Sequence, residues 1–230
     1  MVDCNMPLLD TLLPPDCYLC GMPAGNGKGG APICANCAGE LPRNGSLVCP
    51  RCALPTPEGQ ICGRCLREPP AFDATHALYR YVFPVDVLVH AFKYNHRLSL
   101  TRFFTDAAAN IFLPEADVLV PMPLHPKRLA ERGFNQALEI ARPLARAANL
   151  PLARESVVRK HYAPPQVTLA REARLTNPRG TFACRRQFDG LRVMVVDDVM
   201  TTGASLNAIA RCLKAAGASA VCNFVIARAG

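Results

Sequence analysis

The sequence of 230 residues contains no tryptophan, and aromatic residues make up only 7% of it. It also has no run of about 18 uncharged apolar residues, which excludes a typical membrane-spanning helix. The first residues lack a basic start and carry Asp3 and Asp10. We therefore expect no secretory leader, no membrane insertion and a cytoplasmic location. Because 50% of the residues are hydrophobic, the chain can form a folded core and wholesale disorder is excluded.

Acidic residues are outnumbered, and the imbalance lies entirely in the second part of the chain. Residues 1–70 hold 5 Lys and Arg against 6 Asp and Glu, whereas residues 71–230 hold 21 against 12. The basic residues are densest from Leu119 to Arg192, with 14 against 5 acidic ones. Such an arginine-rich region suits a polyphosphate or nucleic-acid ligand, and a solvated basic face would explain the composition equally well.

Eight of the 12 cysteines form four Cys-x-x-Cys pairs before residue 70. Each pair brings two thiolates to one metal ion, and structural zinc takes four such ligands in a tetrahedron. The simplest pairing is sequential, although the spacing is compatible with interleaved pairing, and an iron–sulfur cluster or redox dithiols are the alternatives to zinc. The predicted ligands are Cys17, Cys20, Cys34 and Cys37 for one zinc ion, and Cys49, Cys52, Cys62 and Cys65 for the other.

The chain divides near residue 70, where Pro69 and Pro70 mark a junction. We predict a zinc-ribbon module over residues 1–70 that needs metal to fold, because it has few apolar residues. Alternating strand and helix patterns predict an α/β domain with a mainly parallel sheet over residues 71–230. Strands are predicted over Phe72–Phe83, Asp117–Pro121, Ser156–Arg159, Arg192–Val199 and Ala218–Ala227, and helices over Val85–Lys93, Leu98–Phe112, Phe134–Ala148 and Ala204–Ala216.

The segment Val193–Ser205, with the sequence VMVVDDVMTTGAS, combines three chemical features. An apolar strand delivers Asp197 and Asp198 to its carboxyl end, where ligands bind in parallel sheets. A loop then opens a helix, and its backbone N–H groups together with the helix N-terminus form a ready anion site. Gly203 allows the backbone to approach a phosphate closely. The structural alternative is a common acidic pair at a strand end followed by a helix-capping turn, but the occurrence of all three features within 13 residues favours a ligand site.

This segment closely resembles the motif of type I phosphoribosyltransferases that binds phosphoribosyl pyrophosphate (PRPP). The resemblance implies that Asp197 and Asp198 hold the ribose 2′- and 3′-hydroxyls and that magnesium bridges the pyrophosphate and ribose oxygens. It implies a 5-phosphate loop formed by Thr201, Thr202, Gly203, Ala204 and Ser205. The expected fold is therefore the type I phosphoribosyltransferase fold, preceded by a small N-terminal zinc-ribbon module.

The whole chain further resembles the ComF family of competence-associated proteins, which pair a cysteine ribbon with such a domain. The matching segments besides the ribbon are Lys93-Tyr94, VPMPLHPKRLAERGFNQA (Val120–Ala137) and QVTLAREARLTNPRGTF (Gln166–Phe182). Val120–Ala137 resembles the pyrophosphate loop, in which Lys127, Arg128 and Arg132 would balance the charge of the leaving group. The alternative is a structural turn before a helix capped by Asn135.

Lys160–Gly180 is polar and too long for a plain connection, which is typical of a lid that excludes water. The resemblance assigns Gln166 and Arg171 to that lid, and a surface loop is the alternative. Lys93-Tyr94, near a helix end, fits either a phosphate or base contact or a solvated helix terminus.

Two hypotheses of function follow from the resemblance. In the first, the chain is a phosphoribosyltransferase that transfers or senses a phosphoribosyl group, with Asp197, Asp198, Arg132, Gln166 and Arg171 as catalytic residues. In the second, it is a non-catalytic protein that handles single-stranded DNA in natural transformation, together with competence partners such as a helicase. The scarcity of aromatic residues in the basic region argues against extensive base stacking.

Overall fold

The strands and helices alternate along the second part of the chain. The computed structural model describes residues 16–24, 32–94, 99–109, 115–160 and 180–230. The strands are β1 (Ala74–Arg80), β2 (Val118–Pro121), β3 (Val157–Arg159), β4 (Phe182–Cys184), β5 (Arg192–Met200) and β6 (Ala220–Arg228). The helices are α1 (Ala35–Gly39), α2 (Gly63–Arg67), α3 (Val85–Tyr94), α4 (Ser99–Ala109), α5 (Pro126–Arg132), α6 (Gln136–Ala147) and α7 (Ala204–Ala215).

Four strands form a parallel sheet in the order β1-β6-β5-β2. Its register sets Pro121 and Phe224 on either side of Val196, so the carboxyl ends of the central strands meet at one edge. β3 and β4 form a separate antiparallel pair. The parallel α/β architecture that the sequence predicts is thus confirmed, and it places the end of β5 beside the segment that follows β2.

Both faces of the sheet are covered, which explains why β5 is almost wholly apolar. Met194 and Val196 pack on one face with side chains of α3, α4 and α6. Val193 and Val195 point to the other face, as alternation along a strand requires, and pack with α7. None of the helices in the described ranges has the length and apolar character that a bilayer crossing requires.

The cysteine-rich part of the chain covers one edge of the sheet. The Arg80 N–H donates to the Pro42 carbonyl at 2.8 Å, and the Asn44 N–H donates to the Leu78 carbonyl at 3.0 Å. Residues 42–44 therefore run antiparallel to the outer side of β1, with Arg43 bridged to Tyr79. An exposed strand edge is a template for unwanted pairing, and this contact removes it.

The predicted elements coincide with observed ones, and four observed elements were not predicted, namely the short helices α1, α2 and α5 and the strand β4. Residues 126–132, for which the sequence predicts a pyrophosphate loop or a structural turn, form helix α5, because Pro126 stands in the first turn, where a missing N–H costs nothing. β4 was not predicted, since three residues carry little periodic signal. Residues 110–112 of the second predicted helix and nearly all of the predicted lid lie outside the described residues.

Candidate functional site

The eight paired cysteines form two clusters of four, each with all its Sγ atoms within 4.8 Å of one another. The pairing is sequential, so the interleaved alternative is excluded. The first cluster contains Cys17, Cys20, Cys34 and Cys37, and the second cluster contains Cys49, Cys52, Cys62 and Cys65.

The spacing of the sulfur atoms fits zinc. Four ligands at roughly 2.3 Å from a tetrahedral ion stand about 3.8 Å apart. The Sγ atoms of Cys20 and Cys34 are 3.8 Å apart, and those of Cys52 and Cys62 are 3.6 Å apart. Burial raises the pKa of the Cys17 thiol, but hydrogen bonds from backbone N–H groups outweigh it and lower that pKa to about 6. The same balance lowers the pKa of Cys49 to about 7. The knuckle backbone thus stabilises one thiolate in each cluster, whereas neighbouring thiols raise the pKa of Cys37, and burial together with neighbouring thiols raises that of Cys65.

The loop after β5 has the conformation of a tight turn into a helix. Gly203 has φ +80°, a left-handed conformation that favours glycine, and α7 begins at the next residue. A Cβ atom at Gly203 would lie 2.6 Å from the Met200 Cε, a flexible side-chain end that would have to shift, so the positive φ is the main reason for glycine here. The Thr202 hydroxyl accepts a hydrogen bond from the Ala204 N–H at 3.3 Å.

A cavity of about 260 Å³ opens at the carboxyl ends of β2 and β5. It is bounded by residues of β5, the loop after it, the ends of α3 and β3, and the α5–α6 region. Four cationic side chains and two carboxylates line it, which suits an anionic ligand that brings a divalent cation. The charged and hydroxyl residues of this lining are Lys93, Arg128, Arg132, Arg159, Asp197, Asp198, Thr201 and Ser205.

The two aspartates have different surroundings although they are adjacent. Asp198 is buried and its Oδ1 lies 2.9 Å from the Lys93 Nζ. Asp197 has no such partner at ion-pair distance among the described residues, and it accepts the Asp198 N–H at 2.9 Å. Burial, reinforced by the charge of Asp198, raises the pKa of Asp197 to about 7. Burial lowers the pKa of Lys93, but the nearby carboxylates outweigh it and that pKa is raised.

The arginines of the cavity are held by neighbouring side chains. Arg132 donates to the Gln136 Oε1 at 3.0 Å and stacks over the Tyr94 ring at 5.3 Å from its centroid. Arg128 lies 3.9 Å from Glu131. Arg159, at the end of β3, stacks over Phe182, and its buried Nε has no acceptor among the described residues.

The predicted site residues are only partly gathered at this cavity. Asp197, Asp198, Thr201 and Ser205 line it with Arg128 and Arg132, whereas Lys127 lies outside it. Thr202, Gly203 and Ala204 line a second cavity of about 500 Å³ on the other side of the loop. Gln166 and Arg171 lie outside the described residues.

Several residues of the cavity, among them Lys93, Arg159 and Asn135, were not assigned as site residues from the sequence. Lys93, whose role the sequence left open, is half-buried, and its Nζ lies 2.9 Å from the Asp198 Oδ1. Arg159 was missed, and the only signal for it was a basic residue at the end of a short strand. Asn135 caps α6 through the Leu138 N–H at 3.3 Å, as predicted, and also donates to the Met122 carbonyl at 3.0 Å from within the cavity wall.

Comparison with known families and proteins agrees with this geometry. Residues 8–66 match the double zinc ribbon domain, and residues 134–229 match the phosphoribosyl transferase domain. DNA utilization protein YhgH of Escherichia coli K12 is 31% identical over 89% of this chain and 93% of its own length. Competence protein F of Haemophilus influenzae is 28% identical, covering 86% of this chain and 85% of its own. Competence protein ComFC of Bacillus subtilis is 27% identical, covering 85% and 84%.

Among solved structures, glutamine PRPP amidotransferase from B. subtilis superimposes with a TM-score of 0.41 and 20% identity, over 60% of this chain and 30% of that one. The match to the relatives with about 30% identity spans nearly the whole length of both chains. The chain therefore belongs to the ComF family, in which a double zinc ribbon precedes a domain of the type I phosphoribosyltransferase fold.

Proposed function

We propose that the chain binds PRPP with magnesium in the cavity at the end of β5 and acts on it as a phosphoribosyltransferase in a process of DNA uptake or utilisation. The observation that carries the proposal is the pair Asp197 and Asp198 at a strand end, followed by a phosphate loop and faced by four cationic side chains. The names of the relatives, which refer to DNA utilization and competence, support the biological setting.

Each part of the cavity has a role in this proposal. The carboxylates of Asp197 and Asp198 accept hydrogen bonds from the ribose hydroxyls, and residues 201–205 surround the 5-phosphate at the start of α7. Arg128 and Arg132 face the pyrophosphate, and Arg159, which lines the same cavity, adds a third guanidinium. Magnesium favours carboxylate and phosphate oxygens, which this donor set and PRPP together provide, and it would neutralise part of the ligand charge.

The reaction would be a substitution at C1 of the ribose. The bond from C1 to the pyrophosphate oxygen breaks, and pyrophosphate leaves with the electron pair. A nitrogen of the acceptor forms the new bond to C1 and loses its proton. Catalysis is then mainly electrostatic, because the cationic side chains stabilise the charge that develops on the leaving group.

The proposal is tested by calorimetric titration of PRPP into the zinc-loaded protein with magnesium, followed by a pyrophosphate-release assay with bases and single-stranded DNA as acceptors. We expect binding with release, and a double variant with Asp197→Asn and Asp198→Asn should bind no PRPP. The exposed Glu155→Gln is the matched control and should bind normally. Binding without release would leave a PRPP sensor, and absence of binding by the parent protein would refute the proposal.

A second candidate function is binding of single-stranded DNA, and a separate groove favours it. Helix α6 begins at the main cavity and ends at an open groove of about 480 Å³ that shares no residue with that cavity. Three arginines line the groove, and one of them, Arg142, is paired with Glu139 at 2.6 Å. Three neighbouring guanidinium groups can pair with the phosphates of a nucleic-acid backbone. They are Arg142, Arg146 and Arg154.

A further inference from the structure

The second cysteine cluster lies directly behind the loop that follows β5. The link is Arg228, the last residue of β6, which is only 3% exposed. Its Nε donates to the carbonyl of the zinc-ligand residue Cys52 at 2.6 Å. Its Nη1 donates to the carbonyls of Met200 at 3.0 Å and Thr201 at 2.5 Å. One buried guanidinium therefore joins the backbone of the cluster to the start of the loop.

A second arginine continues the same contact. Arg64 lies on α2, between the ligands Cys62 and Cys65, and its Nη2 donates to the Thr202 carbonyl at 3.0 Å. Three successive carbonyls of the loop, those of Met200, Thr201 and Thr202, thus accept hydrogen bonds from arginines that the second cluster holds in place. The first cluster packs with the core on the opposite face of the sheet.

These contacts fix the direction of the loop amides. In a trans peptide the C=O and N–H groups point in opposite directions. Since the carbonyls of Thr201 and Thr202 are directed to the ribbon side, the N–H groups of Thr202 and Gly203 are directed away from it. Neither N–H has an acceptor among the residues that the structure describes. They are therefore available to a phosphate.

We propose that Arg228 and Arg64 are positioning residues that orient the loop amides for the 5-phosphate, and that zinc in the second cluster sustains this orientation. The inference rests on the proposed function for its ligand, but the orientation itself is a property of the ligand-free chain. It predicts a division of labour, in which the second cluster supports ligand binding and the first cluster does not.

The test compares Arg64→Ala with Arg67→Ala, because both arginines are exposed on α2 and, of the two, Arg64 is the one that donates to a loop carbonyl within the described residues. Without ligand, hydrogen–deuterium exchange at residues 201–204 should be faster in Arg64→Ala than in the parent protein, while the melting temperature stays the same. Arg67→Ala should show the exchange pattern of the parent. The affinity for PRPP with magnesium should fall about tenfold, the low end for one charge-assisted hydrogen bond. The affinity for magnesium pyrophosphate, which lacks the 5-phosphate, should not change, and Arg64→Lys should restore part of the loss.

A second, independent test removes zinc from one cluster at a time. Cys65→Ser should accelerate exchange in the loop, and Cys20→Ser in the first cluster should not. Unchanged loop exchange in both Arg64→Ala and Cys65→Ser would overturn the inference, as would an equal loss of affinity for PRPP and for pyrophosphate. If the parent protein binds no PRPP, the proposed function fails, and the exchange comparison alone then decides the positioning role.

Discussion

Replacing Asp197 by asparagine should stabilise the protein while it impairs the site. The pKa of Asp197 rises from an ordinary 3.8 to about 7 because the carboxyl is buried and lies next to Asp198. In the unfolded chain the carboxyl ionises near its ordinary pKa. The stability that Asp197 contributes is therefore fully present below pH 4 and is lost as the pH rises through about 7.

The size of the effect follows from this difference in pKa. At pH 8 the raised pKa of Asp197 lowers the free energy of unfolding by about 4 kcal/mol relative to a residue that does not ionise. At pH 5.5 the corresponding loss is about 2 kcal/mol. Asparagine does not ionise, so Asp197→Asn should be more stable than the parent by about these amounts. The stability advantage of the variant therefore grows by about 2 kcal/mol between pH 5.5 and pH 8. In a chain of this size, this corresponds to an increase of about 4–8 °C in the difference between the two melting temperatures.

The assay is thermal unfolding of the zinc-loaded parent and variant at pH 5.5 and pH 8, without PRPP or magnesium. Parent and variant are compared at the same pH, so the titration of other groups cancels. Asp198→Asn is the control with the opposite sign, because it leaves the Lys93 ammonium buried without its partner at 2.9 Å. The reasoning is refuted if Asp197→Asn is less stable than the parent at pH 8, or if its advantage is the same at both pH values.

Three other measurements test the remaining parts of the molecule. Native mass spectrometry should find two zinc ions per chain, with one lost in Cys20→Ser and one in Cys65→Ser; loss of both from one substitution would contradict two independent sites. The affinity for PRPP with magnesium should fall as the pH drops below about 7, because protonation of Asp197 weakens its acceptor oxygens, and calorimetry should find this step missing in Asp197→Asn. Replacing the three groove arginines by alanine should lower the salt slope of single-stranded DNA binding by about 2, at ~0.7 per phosphate, with PRPP affinity unchanged; an unchanged slope in fluorescence anisotropy would place DNA elsewhere.

Much of the architecture could be predicted because its signals are local. Four Cys-x-x-Cys pairs indicate two tetrahedral sites, and an apolar run such as Val193–Val196 can only be a buried strand or helix segment. The carboxylates that end this run are placed by the general rule for parallel sheets. The chain order of strand, loop and helix then fixes the position of residues 201–205 at the same edge.

The parts that could not be predicted depend on contacts between distant segments. Lys93 ends a helix, and only the packing of α3 against the sheet decides that its ammonium meets Asp198. Arg159 reaches the cavity through the β3–β4 pair, and strands of three residues are too short to show the alternating pattern from which a strand is predicted. Arg228 reads in sequence as the polar end of a buried strand, and its role at Cys52 joins residues 176 positions apart.

The same long-range contacts change how the division near residue 70 should be understood. The sequence favours a ribbon module that precedes an independent α/β domain. In the structure, however, residues 42–44 pair with the outer side of β1, and the two cysteine clusters pack with the cores on opposite faces of the sheet. Removing the ribbon would expose a strand edge and take away the Cys52 carbonyl that accepts from Arg228. The two cysteine clusters therefore contact the sheet from both sides, and we expect the ribbon and the α/β domain to depend on each other for stability.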